Sequence, residues 1–335
     1  MKNKRLISVV GLIVIFLIVS FVMQKTEMTA KTQEKERILT VGVLQFLSHP
    51  ALDEIYRGIQ DGLKDEGYEE GKNLKIEFQN GQADQSKLNT MSQQLINQNA
   101  DVLIGIATPA AQALANLTTE IPIVLGAITD PKGANLVADN EKPGGNITGV
   151  SDKSPVEAQF ELVKALLPEA KSVGILYSSA EDNSKYQANE VEAVAKKQGM
   201  TVKHYPVPSG NEISQMVQVM TSEVDMIYVP TDNMIANAMQ IVVDIANKNE
   251  TPIIPSVDTM VEQGGLATVG INQYELGVQT GRMAADILAG KSNPATTPIY
   301  TFTSGDIIIN EGQAEKLGVK IPANILEKAT LVGKG

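Results

Sequence analysis

Val41-Gly42-Val43-Leu44-Gln45-Phe46 and Val173-Gly174-Ile175-Leu176-Tyr177-Ser178 decide how this chain is read, because the second is a near copy of the first. The likeness continues downstream. Ala100-Asp101-Val102-Leu103-Ile104 precedes Pro109-Ala110-Ala111-Gln112-Ala113-Leu114, and Val224-Asp225-Met226-Ile227-Tyr228 precedes Asn233-Met234-Ile235-Ala236-Asn237-Ala238-Met239. Ile121-Pro122-Ile123-Val124 is matched by Thr251-Pro252-Ile253-Ile254. The pairs lie about 130 residues apart, so one unit is repeated with small loop changes. Within each unit, short β-branched runs alternate with helical patterns. That indicates the α/β class: two Rossmann-like, doubly wound lobes with parallel sheets, joined by a multi-strand hinge. A cleft between two lobes is a natural place for a small ligand.

Composition narrows the chemistry. At 335 residues the chain suits two domains, each able to hold its own core. A net charge of −11, with no basic patch beyond the first five residues, argues against nucleic acid. The absence of cysteine removes disulfides, thiolate catalysis and thiol metal sites. His49 and His204 are the only imidazoles, and their contexts do not match, so no metal is expected. No nucleophile elbow, phosphate loop or dinucleotide fingerprint is present. Neither enzymatic activity nor a cofactor is expected.

Lys2, Lys4 and Arg5 precede an apolar run over residues 6–23, broken only by Ser8, Gly11 and Ser20. A positive start followed by an apolar stretch is an export signal. Its length sits between a cleaved signal and a membrane anchor. Cleavage after Ala30 would put Met28 at position −3, a poor fit to a small-x-small site. Residues 1–37 are therefore read as signal or anchor plus a polar tether, with the remainder outside the cytoplasm, tethered to the cell membrane or secreted.

Expected strands in the first copy are 38–44, 74–78, 102–106, 121–127 and 147–150, with helices at 53–66, 84–97 and from Pro109. The second copy gives strands 173–177, 202–205, 226–229, 253–256 and 267–271, with helices 185–198, 212–221 and 234–248. A helix over 273–289 and strands at 300–302 and 306–310 follow.

In open parallel sheets, ligands sit beyond the carboxyl ends of the strands. The residues there are Phe46, Leu47 and Ser48 after the first strand and Tyr177, Ser178 and Ser179 in the second copy. Ala107, Thr108 and Pro109 are matched by Thr231, Asp232 and Asn233, residues 127–130 (ending in Asp130) by Val257 and Asp258, and Ser151 and Asp152 sit at the crossing between lobes. Lobe one offers hydroxyls and helix amides at Ser48 and Thr108, which suit a carboxylate. Lobe two offers Asp232 or Asp258, which suit an ammonium group. The same residue types also serve as helix N-caps, Asp232 above all. Phe46 and Tyr177 would supply aromatic walls or pack beneath loops, and His49 is read as a loop residue.

Ile104-Gly105-Ile106-Ala107-Thr108-Pro109-Ala110-Ala111-Gln112-Ala113, Gly126-Ala127-Ile128-Thr129-Asp130-Pro131, residues 144–151 (GGNITGVS) and residues 274–285 (YELGVQTGRMAA) together resemble one group of ABC-transporter substrate-binding proteins, nearest the tryptophan and aromatic amino-acid branch. The resemblance runs from about residue 38 to residue 322. It implies a type I periplasmic-binding-protein-like receptor that closes on an amino acid and docks onto a permease and its ATPase, acting as a monomer. It also implies that Ala107 and Thr108 hold the substrate carboxylate. Chain order in such receptors places 38–150 with 273–293 in lobe one and 151–272 with 294–335 in lobe two. Such receptors are usually lipoproteins in single-membrane bacteria, and this chain has no cysteine to acylate. An alternative of another class is a membrane-tethered sensory ectodomain, and within the first class a purine, sugar or peptide ligand stays open.

Overall fold

Strand β1 (Leu39–Gln45) is buried from Val41 through Gln45, as a central parallel strand covered on both faces must be. It lies between β2 (Leu74–Asn80) and β3 (Val102–Ile106), and β4 (Ile123–Gly126) and β5 (Ile147–Ser151) continue the sheet in parallel. In the second copy β6 (Ser172–Ser178) lies between β7 (Thr201–Val207) and β8 (Met226–Val229), with β9 (Ile253–Pro255) beyond. Both sheets therefore have the same internal strand order. The computed structural model describes residues 37–333. The expected signal or anchor segment lies outside the described residues, and among those described no helix is long and apolar enough to cross a membrane.

The repeat extends to a supporting device. Asp101, just before β3, accepts the backbone N–H of Thr40 at 2.8 Å. Asp225, just before β8, accepts those of Lys171 and Ser172 at 2.8 Å each. In each copy one aspartate ties the entry of the first strand to the entry of its neighbour.

Helices connect the strands on both faces: α1 (Pro50–Asp65), α2 (Gln85–Asn97) and α3 (Thr108–Ala115) in the first copy. α4 (Val156–Leu166) makes the crossing, followed by α5 (Asp182–Lys197), α6 (Ile213–Met220), α7 (Asn233–Asn237), α8 (Met239–Lys248) and α9 (Asp258–Glu262). The single helix expected over 234–248 is broken at Ala238 into α7 and α8. α4 went unread, although Val156, Phe160, Val163 and Leu166 form a buried stripe at helical spacing.

β10 (Ala267–Gly270) does not complete the second sheet as expected. It pairs antiparallel with β12 (Asp306–Asn310), which pairs with β13 (Thr330–Val332), and a Leu266 N–H to Ile253 O bond of 2.7 Å joins this small sheet to β9. β11 (Tyr300–Thr301) pairs with β5 at the edge of the first sheet, although 294–335 was expected in lobe two. Its short parallel ladder to Val150 and Ser151 holds it there. Among the described residues the chain thus passes between the sheets after β5, after β10 and after β11.

After the second passage α10 (Gln273–Leu288) packs lengthwise on α1, and glycines set the spacing. A Cβ on Gly58 would sit 2.1 Å from Tyr274 O, and one on Gly62 would sit 2.3 Å from Val278 O. From the other side, a Cβ on Gly277 would sit 2.0 Å from Ile55 O and one on Gly281 2.4 Å from Ile59 O. The obstacles are backbone, which cannot rotate away. Gly277→Ala should cost about 1–3 kcal/mol or more through overpacking, read as a lower urea midpoint. Gly145→Ala, where nothing lies within 4 Å of the added carbon, should be close to neutral. Equal effects at the two positions would show that the helices are not held this closely.

Candidate functional site

The carboxyl ends of the strands converge on one narrow cavity between the lobes, with about 20 Å³ of free room, enough for about one water as the lobes stand. Lobe one contributes His49, Ala51, Leu52 and Ile55 after β1, Ala107 and Thr108 after β3, Ala127 and Thr129 after β4, and Asp152 after β5. Across from them stand Asn183 on α5, Thr231, Asp232, Asn233 and Ala236 after β8, and Val257 and Met260 after β9. Gln273, the first residue of α10, closes the ring.

Local chemistry explains why these groups face inward. Pro50 starts α1, where its missing N–H costs nothing, so His49 becomes the helix N-cap. Its ring makes no capping bond and is buried in the cavity instead. Ala107 has φ 72 and ψ 153, and Ala127 has φ 62. Such backbone is rare without glycine and costs of order 1–3 kcal/mol per residue, a strain that clusters at functional sites. Both strained residues line the cavity. Ala107 gives α3 no side-chain cap and Pro109 has no N–H, so the first-turn amides of Thr108 and Ala110 have no helical acceptor.

Three buried acceptors at the cavity have no partner: Asp152 Oδ1, His49 Nδ1 and Asn183 Oδ1. Burial pushes the Asp152 carboxyl up to about 6, against a hydrogen bond from Thr129 that lowers it. Burial pushes His49 down from its ordinary value, opposed by its bond to Asn233 and by the charge of Asp53. The imidazole is therefore neutral near pH 7. Its Nε2 lies 3.2 Å from Asn233 Oδ1, a contact between lobes. Asn233 Nδ2 donates to the buried Glu181 carboxylate, so Oδ1 faces the ring, and the network assigns the proton to Nε2. Nδ1 is left as an acceptor. Asn183 Nδ2 donates to Thr231 O at 2.8 Å, which fixes that amide and leaves its Oδ1 free. Behind these residues Glu181 is held above the usual carboxylate range by burial and then by the nearby Asp232 charge.

Of the residues expected at the site, Ala107, Thr108, Asp152, Asp232 and Asn233 line the cavity. Asp232 is already engaged: Oδ2 accepts Ser178 N–H at 2.6 Å, and Oδ1 accepts Ile235 N–H at 2.8 Å as the cap of α7. Both Asp232 oxygens therefore already accept backbone N–H groups. Asp258 lies outside the lining, half-buried beside α1, where Oδ1 accepts Thr259 N–H at 2.7 Å. Phe46 and Leu47 pack in the core of lobe one, because Phe46 continues the ladder with a 3.2 Å bond to Ile106 O. Ser48 is exposed and donates to Asp53 Oδ2 at 2.7 Å.

Ser151 donates to Thr129 O at 3.3 Å, and Asp130 lines a separate recess at the cleft rim with Asp182 and Tyr186. Tyr177 packs edge-on against His204, ring centroids 5.7 Å apart, away from the cavity. Ser178 turns its hydroxyl to Ala180 N–H, and Ser179 donates to Val207 O. Thr129 and Thr231 follow strands, as the strand-end rule requires, whereas His49 was read as a loop residue and Asn183 and Gln273 were missed. For His49 a signal existed: a histidine directly before a helix-starting proline at the end of the first strand.

A family model described as ABC transporter substrate binding protein matches residues 40–332. The tyrosine-binding protein of Clostridioides difficile (strain R20291) is 39% identical over 290 residues, 87% of this chain and 84% of that protein. The ABC domain of Streptococcus pneumonia in complex with L-Trp is 53% identical, with a TM-score of 0.85 over 88% of this chain and 99% of that one. A ligand-free, open substrate-binding protein with adhesive properties from Clostridium difficile is 38% identical and gives 0.69 over 89% of this chain and all of that one, 100%. The higher score against the ligand-bound protein accords with lobes that meet across a narrow space. The two lobes form a type I periplasmic-binding-protein-like fold, and with a family match across nearly all of it the chain belongs to the ABC transporter substrate-binding proteins.

Proposed function

We propose that this protein binds an L-amino acid with an aromatic side chain in the interlobe cavity and delivers it to the permease and ATPase of an ABC importer. The observation that carries this is the division of the cavity. Its β5–β3 end holds an unpartnered carboxylate oxygen at Asp152 and the uncapped helix start at Thr108, while its β1 end is walled by Ala51, Leu52, Ile55, Ala236, Val257 and Met260. A zwitterion with an apolar side chain matches that division: ammonium to Asp152 and Thr129, carboxylate to the amides and hydroxyl at Thr108. L-Trp in the Streptococcus pneumonia domain and the name of the tyrosine-binding relative support an aromatic side chain. The family match supports delivery over sensing. Residues 6–23 would export the protein and, if left uncleaved, hold it at the outer face of the membrane as a monomer.

Calorimetry against the twenty amino acids tests the ligand class: binding should be confined to aromatic L-amino acids, and no binding by any of them removes the proposal. Asp152→Asn should weaken binding by about 2–5 kcal/mol, since it removes one partner of a buried charge pair. Asp258→Ala should leave affinity nearly unchanged.

Acidity should act through the same group. Asp152 must be ionised to meet an ammonium, and in the closed cavity burial holds its carboxyl up to about 6. Protonation then competes with the ligand, so affinity should be flat above about pH 7 and fall roughly tenfold per unit below 6. The Asp152→Asn variant should show no such fall. A wild-type affinity constant down to pH 5 would remove Asp152 from the ammonium site.

A further inference from the structure

We propose that His49 determines which aromatic side chain the cavity accepts: its Nδ1 takes a hydrogen bond from a ring N–H or O–H, so the site selects indole and phenol side chains over a bare phenyl ring. This rests on the amino-acid reading above and adds to it the group that reads the side chain.

The sheet itself orders the ligand. The strands that end at the cavity run β5, β4, β3, β1, and they carry in turn Asp152, Thr129, Thr108 and His49. Neighbouring strands are about 4.8 Å apart, so the Asp152 and His49 ends are separated by roughly 14 Å. Ammonium and carboxylate share one carbon and must both be met over β5 to β3. The side chain then has one direction left, toward β1. There His49 stands among Ala51, Leu52 and Ile55, in the apolar end of the cavity.

In that end the ring is 6% exposed and its Nδ1 has no partner. No Phe, Tyr or Trp lines the cavity, so stacking on such rings does not provide the selectivity. Nε2 is committed to Asn233 on the facing lobe, which fixes the tautomer and presents the Nδ1 lone pair. A buried acceptor left without a donor is costly. A site built to bond a substrate N–H or O–H rejects the analogue that lacks it.

The test uses the full chain and calorimetric titration with L-Trp and with 3-(3-benzothienyl)-L-alanine, in which sulfur replaces the ring N–H, and with L-Tyr and L-Phe. Wild type should prefer L-Trp over its sulfur analogue, and L-Tyr over L-Phe, by roughly 5- to 150-fold, the range expected for one unsatisfied buried acceptor. Two variants separate the ring nitrogens. His49→Gln can still donate toward Asn233 but has no acceptor at the Nδ1 position, and its preference should shrink to within about twofold. His49→Asn places an oxygen near Nδ1 and abandons Asn233, and it should keep the preference at lower overall affinity. The ratio between ligands is the readout, so a general weakening by either variant does not imitate the effect. Equal binding of L-Trp and its sulfur analogue by wild type overturns the role of His49 while the amino-acid reading stands. So does a preference that persists in His49→Gln. If wild type binds no aromatic amino acid, both fall together. If the Gln variant does not fold, the wild-type ratio still decides.

Discussion

The glycine contact between α1 and α10 is the constraint on which the site depends. Gly58 and Gly62 face Gly277 and Gly281 with backbone against backbone, at separations that admit no side chain. Neither helix can then slide or rotate relative to the other without collision. The first residue of α10 is Gln273 and the N-cap of α1 is His49, and both line the cavity. A contact without polar side chains thus sets the positions of two groups at the cavity. It also binds a helix that follows the second copy onto the first lobe, so the chain must cross between lobes more than once. Several crossing segments restrict the lobes to opening and closing about one axis, the usual motion of two-lobed receptors.

The cavity is polarised toward acceptors. Asp152 Oδ1, His49 Nδ1 and Asn183 Oδ1 are all buried without donors, and each such vacancy costs about 1–3 kcal/mol. A closed empty protein would carry that cost, whereas opening exposes these atoms to water. A ligand bearing an ammonium and a ring donor relieves it within the closed form. On the proposed binding mode, closure would be coupled to ligand chemistry through desolvation. The strain at Ala107 and Ala127 lies at the same place, so the rigid strands of lobe one hold the recognising backbone in a shape it would not adopt alone.

The repeat was legible because both copies of the first strand are buried on two faces, which forces continuous apolar runs that stand out in sequence. Helix α4 was not, because it lies at the crossing and has no counterpart in the first copy to flag it. The break at Ala238 carries no proline or glycine to announce it. At the site, the rule that ligands sit beyond strand ends located the rim but could not say which carboxylates were already in use. Asp232 serves as a cap, Asp258 bonds its own helix, and Asp152 keeps a buried oxygen without a partner. Phe46 misled by a single residue: the ladder runs one step past β1, and the side chain that would have faced the cleft remains in the core.

Duplication also explains why the two lobes do different work. Their scaffolds stayed alike, down to Asp101 and Asp225 bridging the same strand entries. The helix starts after the third strand of each copy diverged. In lobe one the position before α3 is Ala107, which has no capping group, and the amides of the first turn stay open to an anion. In lobe two the corresponding position is Asp232, whose carboxylate closes the start of α7 and also grips Ser178. An uncapped helix start attracts a carboxylate, and a capped one repels it. Under the proposed binding mode, that difference puts the ligand carboxylate over lobe one. The side-chain end is left to the apolar residues of α1 and the facing lobe.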